Sequence, residues 1–431
     1  MDTRLGLYKR TMLELNRAVL QKRTDEHELH QLFWECTLRC NLNCRHCGSD
    51  CRMLSEKDDM PFDDFAKVLD EIMQHEDPSK VMVITTGGEP MMRRDLAECG
   101  REISKRGFIW GMVTNGMMLT PQKLNEFVDA GLMSIALSFD GFEDDHNWMR
   151  GNPQSFKNVL VAVEALKQHP TLTWDVITCV NQRTIHYLPQ FRDYLISLGI
   201  KRWRLFTVFP FGRAANDPDL KLSNEQFVQM MDFIKLSRLQ GKIRTEYGCD
   251  GFLGPYEGEV RNHYYSCSAG INVASILADG AISGCLSIRS DYHQGNIYKD
   301  SFWEVWQNKY QKYRDHKWMK TEQCTKCKMW RYCLGNGFHL RDGDGKLKVC
   351  QYRMIVEDRR QKAEDRRMSR HCSKASFDNP VNVSAFSVSI PIDSSLAPHK
   401  GGKPKVSKKQ DRIRHGKEER SLPRAEQSTP T

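Results

Sequence analysis

The 431-residue sequence has no run of about 18 uninterrupted apolar residues, so no membrane-spanning helix is expected. Its opening stretch, MDTRLGLYKRTMLELNRAVLQKR, holds no continuous apolar core and is not expected to act as an export signal. Without export, fifteen cysteines do not read as a secreted disulfide scaffold, and a reducing, cytoplasmic setting is expected. The acids Glu14, Asp25, Glu26 and Glu28 also argue against a mitochondrial presequence. Net charge is missing from most of the chain. Of the formal +9, all lies between Arg359 and Thr431, where 17 Lys and Arg face 8 Asp and Glu; the other 358 residues carry 47 of each sign. A body without net charge argues against nucleic acid as substrate. No internal repeat is present beyond a β/α unit. What is present, 39% apolar and 10% aromatic residues, excludes wholesale disorder.

The pattern divides the chain into four segments. Residues 1–30 read as an amphipathic lead-in helix, with Leu5, Met12, Leu15 and Val19 at roughly helical spacing. Residues 31–240 alternate short apolar runs with helical stretches. The strands are expected at 32–37, 81–86, 108–114, 133–139, 173–180 and 202–209, each ending on a turn signal. Helices are expected between them at 63–74, 94–105, 121–130, 155–167, 184–197 and 224–239. Six β-then-α units predict parallel strands with right-handed crossovers. Six are too few for a closed eight-stranded barrel, so the fold class is α/β with an open, partial (β/α)6 TIM-like barrel. Residues 241–358 lose this rhythm and hold most of the remaining cysteines in short pieces, which predicts a small cysteine-rich domain. Residues 359–431 are basic and poor in apolar groups, and a disordered tail is expected there.

In such barrels the chemistry sits at the carboxyl ends of the strands. Cys40-x3-Cys44-x2-Cys47 follows the first expected strand, Gly87-Gly88-Glu89-Pro90 the second, Asn115-Gly116 the third and Asp140-Gly141 the fourth. Three thiolates within eight residues can each take a separate iron of a cubane and leave a fourth iron open. The same triplet could hold zinc if Cys36 or Cys51 supplied a fourth ligand. Both readings stand on the triplet alone.

With the other rim motifs the sequence resembles the radical SAM superfamily. Its signature is this C-x3-C-x2-C loop, and Gly87-Gly88-Glu89 is similar to its GGE motif, where open glycine backbone and a carboxylate meet the amino group of S-adenosylmethionine. His46 stands where the family borders the adenine, and Thr114-Asn115-Gly116 resembles its TNG turn near the ribose. Ser138-Phe139-Asp140-Gly141 with His146-x3-Arg150-Gly151 is similar to a pattern of the peptide-modifying branch, in which the serine and arginine approach the cofactor carboxylate. The resemblance implies a reduced [4Fe–4S] cluster on Cys40, Cys44 and Cys47 that binds S-adenosylmethionine. It also implies reductive cleavage to methionine and a 5′-deoxyadenosyl radical, and a flavodoxin- or ferredoxin-type electron donor.

Cys267-x12-Gly280-x4-Cys285, then Cys324-x2-Cys327-x5-Cys333 and Cys350, resemble the SPASM extension of these enzymes. The resemblance implies one complete auxiliary [4Fe–4S] cluster on Cys324, Cys327, Cys333 and Cys350; a zinc site on the same four cysteines is the alternative. A second cluster would lack two family ligands. Gly337 stands where one cysteine is expected, and the nearest upstream cysteine, Cys249, lies eighteen residues before Cys267. Cys249, Cys267 and Cys285 are therefore expected to hold a modified second cluster, with loss of that cluster as the alternative. Sulfatase-maturing relatives carry an acid where this chain has Leu286, which disfavours sulfatase oxidation. A peptide or protein substrate is expected. The alternatives are a small molecule such as a tetrapyrrole or cofactor precursor and, from a different class, a non-catalytic zinc or iron–sulfur binding protein.

Overall fold

A computed structural model describes residues 5–248 and 251–375; Cys249 lies outside them, as does the chain beyond residue 375. After helix α1 (Leu7–Glu26), the parallel strands β1 (Gln31–Thr37), β2 (Met82–Gly87), β3 (Ile109–Thr114), β4 (Leu132–Ser138), β5 (Thr173–Val180) and β6 (Arg202–Thr207) stand side by side in sequence order. The helices that cross between them are α2 (Phe62–Met73), α3 (Leu96–Lys105), α4 (Pro121–Asp129), α5 (Glu143–Arg150), α6 (Ser155–Lys167) and α7 (Leu188–Ser197), with α8 (Asn224–Gln240) after β6.

The expected strands and crossover helices are present within a few residues, and two further elements complete the unit. A seventh parallel strand, β7 (Arg244–Tyr247), pairs with β6. Its four residues alternate charge and bulk too briefly to signal a strand. Helix α5, polar in six of its eight positions, hides behind its acidic first turn and ends at Gly151 with φ 66°.

Helix packing explains the strand composition. Trp34 of β1 stacks on Phe65 of α2 with ring centroids 4.3 Å apart, and Trp110 of β3 meets Phe127 of α4 edge-on. Alternate β1 residues Leu32, Trp34 and Cys36 are fully buried. Caps place the helices: Thr120 and Pro121 open α4, and Ser223 with Gln226 forms a capping box on α8.

The barrel does not close. The free edge of β1 is taken by β8 (Val273–Ile276), parallel and in register from Gln31↔Val273 to Trp34↔Ile276, and β9 (Ala281–Ser283) and β10 (Gly295–Asn296) follow antiparallel. The cysteine-rich region therefore extends the barrel sheet into one sheet of ten strands, and residues to Ser373 form one compact unit. Trp306, Tyr310 and Tyr313, helically spaced in sequence, are buried in its core.

One expectation is corrected. A helix spans Gln351–Ala375 and runs past Arg359, where the disordered tail is expected to begin. Its few apolar residues suggested disorder, but Arg353–Glu357, Arg360–Glu364 and Asp358–Lys362 form ion pairs one turn apart that support a helix without an apolar stripe. Among the described residues no helix is long and apolar enough to cross a membrane.

Candidate active site

Where β1 ends, the chain makes a loop that returns on itself: the Cys40 amide donates to the Arg52 carbonyl at 2.7 Å. Inside it Cys40, Cys44, Cys47 and Cys51 pack in one group with Leu38, Leu42 and Met117. Cys36, by contrast, turns to the other face of β1, where its thiol donates to the Thr86 carbonyl at 3.3 Å. It cannot serve as a fourth ligand there. Cys51 can reach the group, and the sequence offered no more than its spacing to say so. Its thiol hydrogen-bonds Cys47; that bond, more than nearby Arg213, lowers the Cys47 thiol below its ordinary range and raises that of Cys51. Among the described residues no three Cys, His, Asp or Glu side chains close around a single point as one ion requires.

The β2 loop lies directly against this one. Gly87 takes φ +127°, and a Cβ there would stand 2.1 Å from the Thr37 carbonyl oxygen; at Gly88 it would stand 2.2 Å from that of Arg39. Only bare backbone lets the two loops meet, with the amides of Gly88 and Glu89 donating to those same carbonyls at 2.8 and 2.9 Å. Glu89 is consequently buried. Its carboxylate accepts from the Thr114 hydroxyl and the Asn115 amide, both at 2.8 Å. Burial pushes its pKa up to about 7 against those hydrogen bonds. The side chain of Asn115 reaches Asn41 at 2.8 Å and the Cys40 sulfur at 3.9 Å.

On the opposite side, Arg150 at the end of α5 is buried beside Asp140, with Nε 2.6 Å from Oδ2, and its Nη1 lies 3.8 Å from the Cys44 sulfur. Burial opposes the charge of Asp140, but Arg150, His46, His146 and the Cys179 amide together outweigh it and hold the carboxyl below its ordinary range. His146 accepts the Asp140 amide on Nδ1 at 3.0 Å and faces Ser155 Oγ at 2.9 Å; burial lowers it to about 3, so it is neutral. His46, in the cysteine loop, is lowered by burial to about 4, and its Nδ1 is buried without a hydrogen-bond partner. Ser138 stands half-buried at the end of β4, in register with Ile177.

The loop after β6 supplies a clamp that sequence reading missed. Arg213 donates from its backbone to the Cys47 carbonyl at 3.0 Å and from its guanidinium to the carbonyls of Cys44 and Cys51 and to Asp50. Gly212 before it has no room for a Cβ, which would stand 2.5 Å from the carbonyl oxygens of Cys47 and Gly48. One arginine among 64 basic residues carries no sequence signal for this role.

A second thiol group lies in the cysteine-rich region. Cys324, Cys327, Cys333 and Cys350 line one cavity of about 280 Å³, walled by Phe252, Met329, Trp330, Leu347, Tyr352 and Val356. Four thiols around an apolar cavity fit a thiolate-held cluster, the donor set such clusters take. Cys267 and Cys285 lie near one another outside that cavity, their thiols raised by burial, to about 11 for Cys267. At Gly337 a Cβ would stand 2.6 Å from the His339 ring, so that ring fills the space a cysteine side chain would need.

The comparisons agree with this layout. Residues 34–195 match the profile of the radical SAM superfamily, and residues 267–328 match an iron–sulfur cluster-binding domain, SPASM. An AdoMet-dependent heme synthase of Methanosarcina barkeri is 26% identical over 322 residues, which cover 70% of this chain and 89% of that protein. A PqqA peptide cyclase of Bradyrhizobium diazoefficiens is 26% identical over 306 residues, covering 68% and 77%. Among solved structures, anSMEcpe with bound AdoMet and a peptide superposes with a TM-score of 0.61 at 20% identity, covering 79% of this chain and 98% of that one. Streptococcus suis SuiB bound to S-adenosylmethionine gives 0.59 at 14% identity, covering 76% and 79%. At such identities the structures establish a shared fold.

Proposed function

The chain belongs to the radical SAM superfamily and carries a SPASM iron–sulfur domain, and from that premise we propose that this radical SAM enzyme modifies a peptide or protein. When bound, the cluster and S-adenosylmethionine supply a 5′-deoxyadenosyl radical, a reagent for unactivated C–H bonds. The chain's own residues do the rest. Cys40, Cys44 and Cys47 are the thiols that would hold the first cluster, and Cys324, Cys327, Cys333 and Cys350 the auxiliary one. Gly87 and Gly88 leave open backbone beside Glu89, whose buried carboxylate is suited to an ammonium group. Asn115 and His46 would border the bound cofactor, and Ser138 and Arg150 would approach it from β4 and α5.

One observation carries the substrate reading. Arg39, Arg45, Arg183, Arg213 and Arg289 on loops, and Arg150 at the end of α5, lie around the barrel mouth, and each is ion-paired to a carboxylate of this chain: Asp59, Asp217, Asp145, Asp50, Glu35 and Asp140 in turn. A mouth so neutralised suits an uncharged stretch of peptide better than a polycarboxylate, which would need free cations. The fold shared with anSMEcpe, whose structure holds a peptide, supports the same reading. A tetrapyrrole substrate is the second reading, favoured by the heme synthase and by an Fe-coproporphyrin III synthase of Methanosarcina barkeri, 23% identical over 363 residues.

The test is anaerobic reconstitution followed by incubation with S-adenosylmethionine and reductant. 5′-Deoxyadenosine is expected; none, with the clusters fully loaded, would overturn the enzyme assignment. Co-expression with candidate precursor peptides should give a mass change in the peptide. A product from Fe-coproporphyrin and unaltered peptides would establish the second reading instead.

A further inference from the structure

Charge is distributed in the folded body in a way its zero net value conceals. Residues 309–358 carry twelve Lys and Arg against six Asp and Glu, whereas residues 1–308 carry 35 against 41. The positive excess therefore gathers on the segment that holds Cys324, Cys327, Cys333 and Cys350. The two faces where an electron could enter differ sharply. At the barrel mouth the six named arginines are each neutralised by a carboxylate. Around Cys327 the opposite holds. Lys326 and Lys328, the residues on either side of it, are both exposed, and neither has a carboxylate partner among the described residues. Lys320 lies 5.7 Å over the Trp330 ring, which itself walls the four-thiol cavity. Cys327 is only half-buried, and Lys328 and Arg353 line the cavity beside it.

We propose that this face is the docking surface of a small acidic one-electron carrier, with the Cys324–Cys350 site as the point of electron entry. The proposal rests on the radical SAM reading above, which demands a one-electron reductant. The step is a transfer of one electron from the reduced carrier to the auxiliary cluster; the carrier is oxidised by one electron, and no bond is made or broken. Unpaired lysines beside a thiol group reached from solvent offer both requirements at once: attraction for acidic side chains and a short approach to the acceptor. A nucleic acid would be drawn by the same charge but would gain nothing from the thiol cavity.

The test uses the full, cluster-loaded chain and reduced flavodoxin as the probe. Lys326→Glu, outside the lining of the cavity, should weaken flavodoxin binding by about fivefold or more at low salt, with the difference shrinking as salt screens it. It should raise the flavodoxin KM for 5′-deoxyadenosine formation to a similar extent, while dithionite-driven formation stays at the wild-type rate. Unchanged binding and KM would overturn the proposal. So would a loss of binding to a short RNA with flavodoxin unaffected. Absence of 5′-deoxyadenosine with dithionite in the wild type would instead count against the enzyme reading itself.

Discussion

Arg213 Nε donates to the Cys44 carbonyl at 2.7 Å, tying the loop after the sixth strand to the loop after the first. Its Nη1 donates to Asp50 Oδ1 and to the Cys51 carbonyl at 2.7 and 3.1 Å. Such supporting contacts fix the direction in which thiols point without touching a metal themselves. Arg213→Ala is expected to lower iron retention at the first site, alter its electron paramagnetic resonance line shape, and reduce S-adenosylmethionine cleavage roughly tenfold or more. Arg213→Lys keeps the charge but loses the fork, and should recover only part of this. Wild-type iron content and line shape in the alanine variant would show that the clamp is dispensable.

Glu89 makes stability depend on pH. Its pKa in the folded chain is raised from the ordinary 4.5 to about 7, chiefly by burial. Below about pH 4.5 it is protonated folded and unfolded, and its favourable contribution is fully present. Between there and pH 7 only the unfolded chain ionises, so stability falls as pH rises, by a total of about 3 kcal/mol. Urea melts of the protein without S-adenosylmethionine should show this slope, and Glu89→Gln should flatten it. An ammonium ligand favours the carboxylate, so S-adenosylmethionine should bind more tightly as pH rises through 7 in the wild type and show no such gain in Glu89→Gln.

Substitutions separate the thiol sites. Cys333→Ser and Cys350→Ser each remove a wall of the four-thiol cavity and should cost roughly four irons per chain, the content of one cubane. Cys267→Ser tests the pair outside that cavity. Equal iron loss there would establish a second auxiliary cluster whose remaining ligand is not at position 337, where this chain has Gly337. Iron and labile sulfide measured on each variant decide between these outcomes.

Gly88→Ala should be worse than its size suggests. The new methyl would press on the Arg39 carbonyl at a distance no real Cβ tolerates, so the β2 loop must withdraw from the cysteine loop. A loss of about 1–3 kcal/mol in unfolding free energy is expected, with a larger loss in S-adenosylmethionine binding.

Motifs carried by contiguous residues were legible in the sequence. The Cys40–Cys47 triplet, the Gly87–Glu89 turn and the apolar periods of the first six strands each fit within a dozen residues, and local chemistry determines them. What escaped depends on residues far apart. The union of β8 with β1 joins positions some 240 residues apart, and neither strand carries a mark of its partner. Arg213 and Arg289 look like any other surface base until the fold places one against Cys44 and the other against Glu35. The helix running on to Ala375 was misread because ion pairs, not apolar periodicity, sustain it.

The shared ladder of β1 and β8 also governs how the protein can be dismantled. A fragment ending at residue 248 would keep every residue of the first thiol site, yet it would strip β1 along one side. The strand leading into the cysteine loop would become a bare, adhesive rim with unpaired amides and carbonyls. Such a fragment should aggregate or pair with its own copies before it ever holds iron. The N-terminal half is thus not a cassette that can be lifted out and supplied with a new partner, because its first strand is finished only by residues synthesised long after it.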